Sequence, residues 1–241
     1  MRVYDMIVSY RHRMADLLAG LTDEQVRQRT LCEAWTVHEV AAHLISFLRF
    51  GRTKLYLGLL TTAADLDRVN LRLTEREAAR PTGEIVELLR RYADSRIAIP
   101  RAGYDPVLTD LVLHELDIRL PLGIPGAVPE RQLRVAIHHL ATKPALGFTM
   151  NSRLRDLRLV ATDTGWSHGR GRLVRGDAET LLLGMGGRRS AFDRLDGDGV
   201  PLLAQRVASP PRPGAARRLG MVLDVLVHPA PAERRSRAAA G

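Results

Sequence analysis

The chain contains few cysteine, lysine and aromatic residues. Cys32 is the single cysteine in 241 residues, which excludes an intramolecular disulfide framework and a zinc site made of four cysteines. No apolar run approaches the roughly 20 residues that a bilayer-spanning helix needs, and Met1–Tyr10 lacks the apolar core of a signal peptide. We therefore expect a cytoplasmic protein with no membrane partner.

The positive charge is unevenly distributed. Residues 207–241 carry six arginines, one aspartate and one glutamate, a net charge of +4, which leaves +5 of the total +9 for the first 206 residues. Lys54 and Lys143 are the only lysines. The first 206 residues contain many acidic residues and only a small excess of positive charge, so they do not form the basic stripe of a nucleic-acid-binding protein. We expect no nucleic-acid partner, and a DNA-binding regulator is suggested only by the charge.

As far as about Met150 the apolar residues recur at helical spacing. Thr36 and Glu39 form the pattern of a capping box, which predicts a helix start at that point. Gly51 is expected to end this helix, and Thr61–Arg80 is a polar stretch with short helical pieces. The other predicted helices are an apolar stripe from Ile7 to Leu21, Glu84–Ile99 ended by Pro100, Pro106–Leu120 and Pro129–Leu140.

After Asn151 the pattern predicts a small α+β domain. Leu157–Ala161 is typical of a strand, two further short strands follow, and Asp177 is placed to cap a helix over Ala178–Met185. The predicted fold class is α with a small α+β domain. Its domains are a metal-binding helical bundle over 1–150, the α+β domain over 151–208, and a partly disordered Pro/Arg-rich tail over 209–241.

Three residues on two predicted helices suggest a metal site. Asp110 and His114 are four residues apart, so their side chains project from one helix face, and His43 lies on or beside the apolar side of another helix. Three protein ligands with an open position are expected of a catalytic divalent site. Zinc suits two imidazoles and one carboxylate, while iron, nickel and manganese stay open. Asp117, one turn after His114, could accept the second imidazole proton.

Structural roles are the alternative for each of these residues. An Asp-x-x-x-His pair is common by chance, and His43 taken alone is typical of a hydrogen-bonded core histidine. Asp110, His114 and Asp117 nevertheless interrupt a very apolar helix, and buried carboxylates and imidazoles need partners, which a metal supplies.

Several segments resemble the mycothiol-dependent maleylpyruvate isomerase family, which is part of the DinB-like metal-binding superfamily. The Trp-Thr-Val and Ala-His-Leu blocks are similar to the family's opening signature, and the Asp110 segment to its second metal-ligand segment. The resemblance covers about residues 1–205. The matching segments are Cys32–Val37, Val40–Leu44, Asp110–Ile118, Pro121–Gly123, Trp166–Gly176 and Gly187–Arg188.

This resemblance implies a DinB-like four-helix bundle followed by a small sterol-carrier-protein-like α/β domain. It implies that the metal triad falls on His43, Asp110 and His114, and that the small domain contributes Arg188 to the reaction. The isomerases carry glutamate where this chain has Asp110. A carboxylate one methylene shorter requires a metal closer to that helix or an intervening water, which argues against maleylpyruvate itself as the substrate.

The implied activity uses the low-molecular-weight thiol mycothiol and a small-molecule electrophile. A thiolate that adds to an electrophilic double bond lets that bond rotate before the thiol leaves, and a thiol that stays gives an S-transfer product. Arg188 would bind a substrate carboxylate or stabilise a developing enolate, or else only satisfy carbonyls at a helix C-terminus. A non-catalytic metal or small-molecule binding protein of the same fold is the alternative, and monomer and homodimer are both open.

Overall fold

The computed structural model describes residues 1–32, 35–61, 66–98, 103–142 and 154–208. These residues are mostly helical with one small three-stranded sheet, as the predicted fold class requires. Their contacts form two compact units, one within Met1–Val107 and one that begins at Leu108. No described helix is long and apolar enough to cross a membrane. The predicted boundary near residue 150 and the tail from 209 lie outside the described residues.

The first unit is helical. Thr36 and Glu39 confirm the predicted capping box: the Thr36 amide donates to a Glu39 carboxylate oxygen at 2.7 Å, and the Glu39 amide donates to Thr36 Oγ1 at 3.3 Å. A second capping box, between Thr22 and Gln25, begins a short helix that the sequence analysis did not identify. The helices are α1 Val3–Ala19, α2 Asp23–Arg27, α3 Val37–Thr61, α4 Leu66–Ala78 and α5 Thr82–Arg91.

Two helix ends differ from the prediction. Helix α3 continues past Gly51 to Thr61, because one internal glycine costs only about 1 kcal/mol of helix stability and does not by itself end a helix. Helix α5 ends at Arg91, well before Pro100. The guanidinium of Arg11, which is buried, donates to the carbonyls of Ala93 and Ser95 at 2.8 Å each, so α1 supplies hydrogen bonds to the chain as it leaves α5.

The second unit combines helices with the sheet. In the sheet, β1 is central, antiparallel to β2 and parallel to β3, and its buried side chains alternate with exposed ones. Asp177 caps α8 as predicted, with Oδ1 accepting from the Thr180 amide at 2.8 Å. The elements are α6 Asp105–Arg119, α7 Glu130–Thr142, β1 Leu157–Ala161, β2 Ser167–Gly169, β3 Arg172–Gly176, α8 Ala178–Met185, a 3₁₀ helix Arg189–Arg194 and α9 Val200–Ala208.

The end of α8 lies directly against α6. A Cβ atom at Gly186 would meet a Leu113 methyl group at 2.9 Å, so a larger residue here would force the Leu113 side chain to move. Gly187 has φ +91°, a backbone conformation that residues other than glycine rarely adopt. The Arg188 amide then donates back to the Leu183 carbonyl at 3.0 Å. These two glycines thus turn the chain and place Arg188 beside α6.

Candidate functional site

The polar residues of α6 lie together in the second unit. Nε2 of His114 is 3.5 Å from Oδ1 of Asp110, and Nδ1 is 2.9 Å from Oδ2 of Asp117. Helical spacing explains this arrangement, since residues three and four apart are neighbours on the helix surface. His114 and Asp117 are buried, whereas the Asp110 side chain keeps 28% of its exposure. One imidazole is therefore held between two carboxylates, one inside the protein and one at its edge.

Arg188 is the cation that balances the buried carboxylate. Its Nε and Nη2 donate to the two oxygens of Asp117 at 2.8 and 2.5 Å, and its Nη1 donates to the Gly186 carbonyl at 2.7 Å. A paired contact of this kind matches the planar guanidinium to the carboxylate. Asp117 thus accepts hydrogen bonds from both Arg188 and His114, which links α6 to the turn that follows α8.

The neighbouring charges lower the pKa of Asp117 and raise the pKa of His114. Burial raises the pKa of Asp117, but hydrogen bonds and charge from Arg188 and His114 outweigh it, so the pKa lies below its usual range. Burial lowers the pKa of His114, but the carboxylates of Asp110 and Asp117 outweigh burial and raise it to about 9. Without a metal, Asp117 is therefore ionised and His114 protonated at neutral pH.

The neighbours of His43 that belong to the first unit are uncharged. His43 lies on α3 and is buried, and its Nδ1 is 2.8 Å from Oδ1 of Asn70 on α4. The Trp35 ring lies 4.9 Å from the imidazole at a tilt of 32°, and Phe47 meets the imidazole edge-on at 5.7 Å. Because an amide oxygen only accepts hydrogen bonds, this contact requires a proton on Nδ1.

These residues have the chemistry of divalent-metal ligands. His43, Asp110 and His114 each offer one ligand atom, either an imidazole nitrogen or a carboxylate oxygen, and none is fully exposed. In both histidines the contact to Asn70 or Asp117 engages Nδ1, so Nε2 is the candidate ligand nitrogen. The 3.5 Å between His114 Nε2 and Asp110 Oδ1 is close to the ~3.3 Å edge of a tetrahedron with zinc–ligand bonds of ~2.0 Å. Asp110 and His114 thus fit two corners of a metal site.

Four of the residues singled out in the sequence lie together within the second unit. Asp110, His114, Asp117 and Arg188 lie together in the second unit, whereas His43 belongs to the first. The sequence analysis did not identify Asn70, because it lies in a polar stretch and its partner, His43, is 27 residues away in the sequence. No local spacing rule connects two such positions.

Comparison with known proteins supports the resemblance found in the sequence. Residues 9–106 match a family model described as the mycothiol maleylpyruvate isomerase N-terminal domain. Two similar solved structures are those of a mycothiol-dependent maleylpyruvate isomerase and a histidine-to-alanine mutant of such an enzyme. Identities are 15% and 14%, each match has a TM-score of 0.50, and each covers 88% of this chain and 93% of the other. At this identity the matches establish a shared fold. No curated protein matches the chain.

Proposed function

Because residues 9–106 identify this chain as a member of the mycothiol maleylpyruvate isomerase family, we propose that it is a metal-dependent enzyme that uses mycothiol. Its reaction would be a cis–trans isomerisation like that of maleylpyruvate isomerase, or transfer of the thiol to a small-molecule electrophile. We place the enzyme in the cytoplasm. The observation that carries the proposal is the ligand-like arrangement of Asp110 and His114 on α6, in a chain of this family.

We propose the finer architecture on the same basis. The helices up to about residue 150 would form a DinB-like four-helix bundle, and residues 151–208 a sterol-carrier-protein-like domain. Such a bundle offers inward-facing side chains from different helices for a metal site.

His43, Asp110 and His114 would together hold one divalent ion, with zinc favoured by two imidazoles and one carboxylate. When bound, such an ion lowers the pKa of a coordinated thiol, which keeps it as the nucleophilic thiolate at neutral pH. The contribution of the chain is to present these ligands: Asn70 and Asp117 each engage the Nδ1 of one histidine. His114 must give up its Nε2 proton before that nitrogen can act as a ligand.

The reaction follows from the nucleophile. The mycothiol thiolate forms a C–S bond to an electrophilic double bond, whose electron pair moves onto the conjugated carbonyl oxygen as an enolate. The remaining single bond rotates, the electron pair returns, and the thiolate leaves with the isomerised double bond. In S-transfer the enolate instead takes up a proton and the C–S bond remains.

Arg188 is our candidate for the group that binds a substrate carboxylate or stabilises the enolate. Its guanidinium is held at Asp117 and Gly186 and retains 12% of its side-chain exposure, so its charge is placed in advance. The same ion pair favours the alternative function, a non-catalytic binding protein, because Asp117 already neutralises that charge. Arg188→Lys distinguishes the two: loss of turnover with unchanged metal content supports the catalytic role, whereas joint loss of metal supports an anchoring role.

Metal analysis of purified variants tests the proposed ligands. We expect about one zinc or other divalent ion per wild-type chain, and loss of most of it in His43→Ala and His114→Ala, since each removes one of three ligands. His12→Ala is the matched control, because His12 is exposed on α1 and is not a predicted ligand. Unchanged stoichiometry in both ligand variants would refute the metal site.

Thiol consumption tests the activity separately. Mycothiol is supplied together with maleylpyruvate or monochlorobimane, and the decrease in free thiol and the isomerised product are both followed. Turnover that depends on His43 and His114 supports the enzyme. Bound metal without turnover on any electrophile supports the binding protein of the same fold.

A further inference from the structure

The amide of Asn70 is the hydrogen-bonding group that α4 contributes to His43. Its Oδ1 lies 2.8 Å from Nδ1 of the imidazole, which is a normal hydrogen-bond distance. His43 is 4% exposed, so the ring is largely shielded from water that could otherwise take over this contact. In a buried position the loss of one partner leaves the other unsatisfied, which makes the contact worth more than an exposed one.

The two aromatic neighbours constrain the imidazole in a different way. Trp35 lies across the ring at 4.9 Å and Phe47 meets it edge-on, so the two restrict the plane in which the ring lies. Neither contact distinguishes Nδ1 from Nε2. Among these contacts in the first unit, the oxygen of Asn70 does distinguish the nitrogens, because it requires a proton on the atom it faces.

We propose that Asn70 is a positioning residue that makes Nε2 of His43 the ligating nitrogen. The inference rests on the proposed function, since it assigns a role to a neighbour of a proposed metal ligand. Asn70 acts through the imidazole: by accepting from Nδ1–H it fixes the tautomer and the rotation of the ring.

The neutral charge of Asn70 is part of the proposal. Asp117 plays the equivalent part for His114 but carries a negative charge that Arg188 balances. An amide fixes the tautomer without adding a charge that would need such a partner. A carboxylate at position 70 would still accept from Nδ1–H, so Asn70→Asp should preserve the tautomer, whereas Asn70→Leu, of similar size, should not.

The test combines two measurements on the wild-type protein and three variants. Nitrogen-15 NMR of the imidazole in the metal-free protein reports which nitrogen of His43 carries the proton, and competition with a chelator gives the zinc dissociation constant. Asn70→Leu removes the acceptor, Asn70→Asp keeps it, and Leu71→Ala is the control, since Leu71 is the exposed next residue of α4. Asn70→Ala, which also lacks the acceptor, replaces the leucine variant if that variant is too unstable to purify.

We expect zinc binding to weaken about 10- to 100-fold in Asn70→Leu, with His43 populating both tautomers, to weaken less in Asn70→Asp, which keeps the acceptor but adds a charge, and to change little in Leu71→Ala. A wild-type protein with the His43 proton on Nε2 would overturn the proposal, as would a leucine variant with unchanged affinity and tautomer. A wild-type protein that binds no zinc contradicts the proposed function instead. The NMR measurement still decides the part of Asn70 in that case.

Discussion

The two histidines proposed as ligands are supported by opposite kinds of environment. His43 has a neutral amide and two aromatic rings around it, whereas His114 lies between two carboxylates, one of which is paired with an arginine. A buried charge needs a counter-charge, and a buried amide does not. The contacts that orient His114 therefore extend from α6 to Arg188, while the hydrogen bond and ring contacts described for His43 come from α3, α4 and Trp35.

This difference predicts where the protein is sensitive to substitution. Replacing a neutral acceptor removes one hydrogen bond, but replacing the ionised member of a charged group leaves a buried cation without its partner. The largest effects on folding should therefore appear at Asp117, and the effects around His43 should be seen mainly in ligand geometry.

The largest expected effect is that of Asp117→Asn. The substitution leaves the Arg188 guanidinium without its anion, and breaking a buried pair in this way costs about 3–5 kcal/mol of unfolding free energy. Chemical denaturation measures the change, with Asp5→Asn as the matched control, because Asp5 forms an exposed pair with Arg2 and should have little effect. The double variant Asp117→Asn with Arg188→Gln should lose less than the sum of the single losses. Additive losses would show that the pair does not act as a unit.

A pH series on the metal-free protein should give the next largest effect. The pKa of His114 is about 9 in the folded chain and about 6.5 when unfolded, so the folded state binds the proton more tightly. The contribution of His114 to the free energy of unfolding is complete below pH 6.5 and is lost as the pH rises through 9. The free energy of unfolding then falls by at most about 1.4 kcal/mol per pH unit. Denaturant unfolding of wild type and His114→Gln between pH 6 and 10 measures it. Parallel pH profiles for the two proteins would contradict the charged environment assigned to His114.

The same contrast explains which parts of the site the sequence predicts. Asp110, His114 and Asp117 lie on one helix, and helical spacing alone places them together. The Thr36–Glu39 capping box is likewise a local signal, and the structure confirms it. Asn70 has no such signal, because its contact to His43 depends on how α3 and α4 pack against each other.

Helix ends show the same limit. The sequence analysis expected Gly51 to end α3 and Pro100 to end α5, since glycine and proline are the residues that disfavour helices locally. The structure continues α3 through the glycine and ends α5 at Arg91. Arg11, which donates to carbonyls just beyond α5, belongs to α1 some 80 residues earlier, and single-sequence patterns do not reveal such a contact.

The smallest expected effect is a fluorescence change on metal binding. Trp35 lies 4.9 Å from His43, whereas the nearby imidazole for Trp166 is His168 at 6.2 Å, which is not a proposed ligand. A cation bound to His43 changes the electric field at the Trp35 indole. Zinc should therefore alter the emission of Trp166→Phe, which retains Trp35, and leave that of Trp35→Phe almost unchanged. An equal response in both variants would mean that zinc acts on the protein generally and not at His43, and the contacts of Asn70, Trp35 and Phe47 to that histidine would then have no part in metal binding.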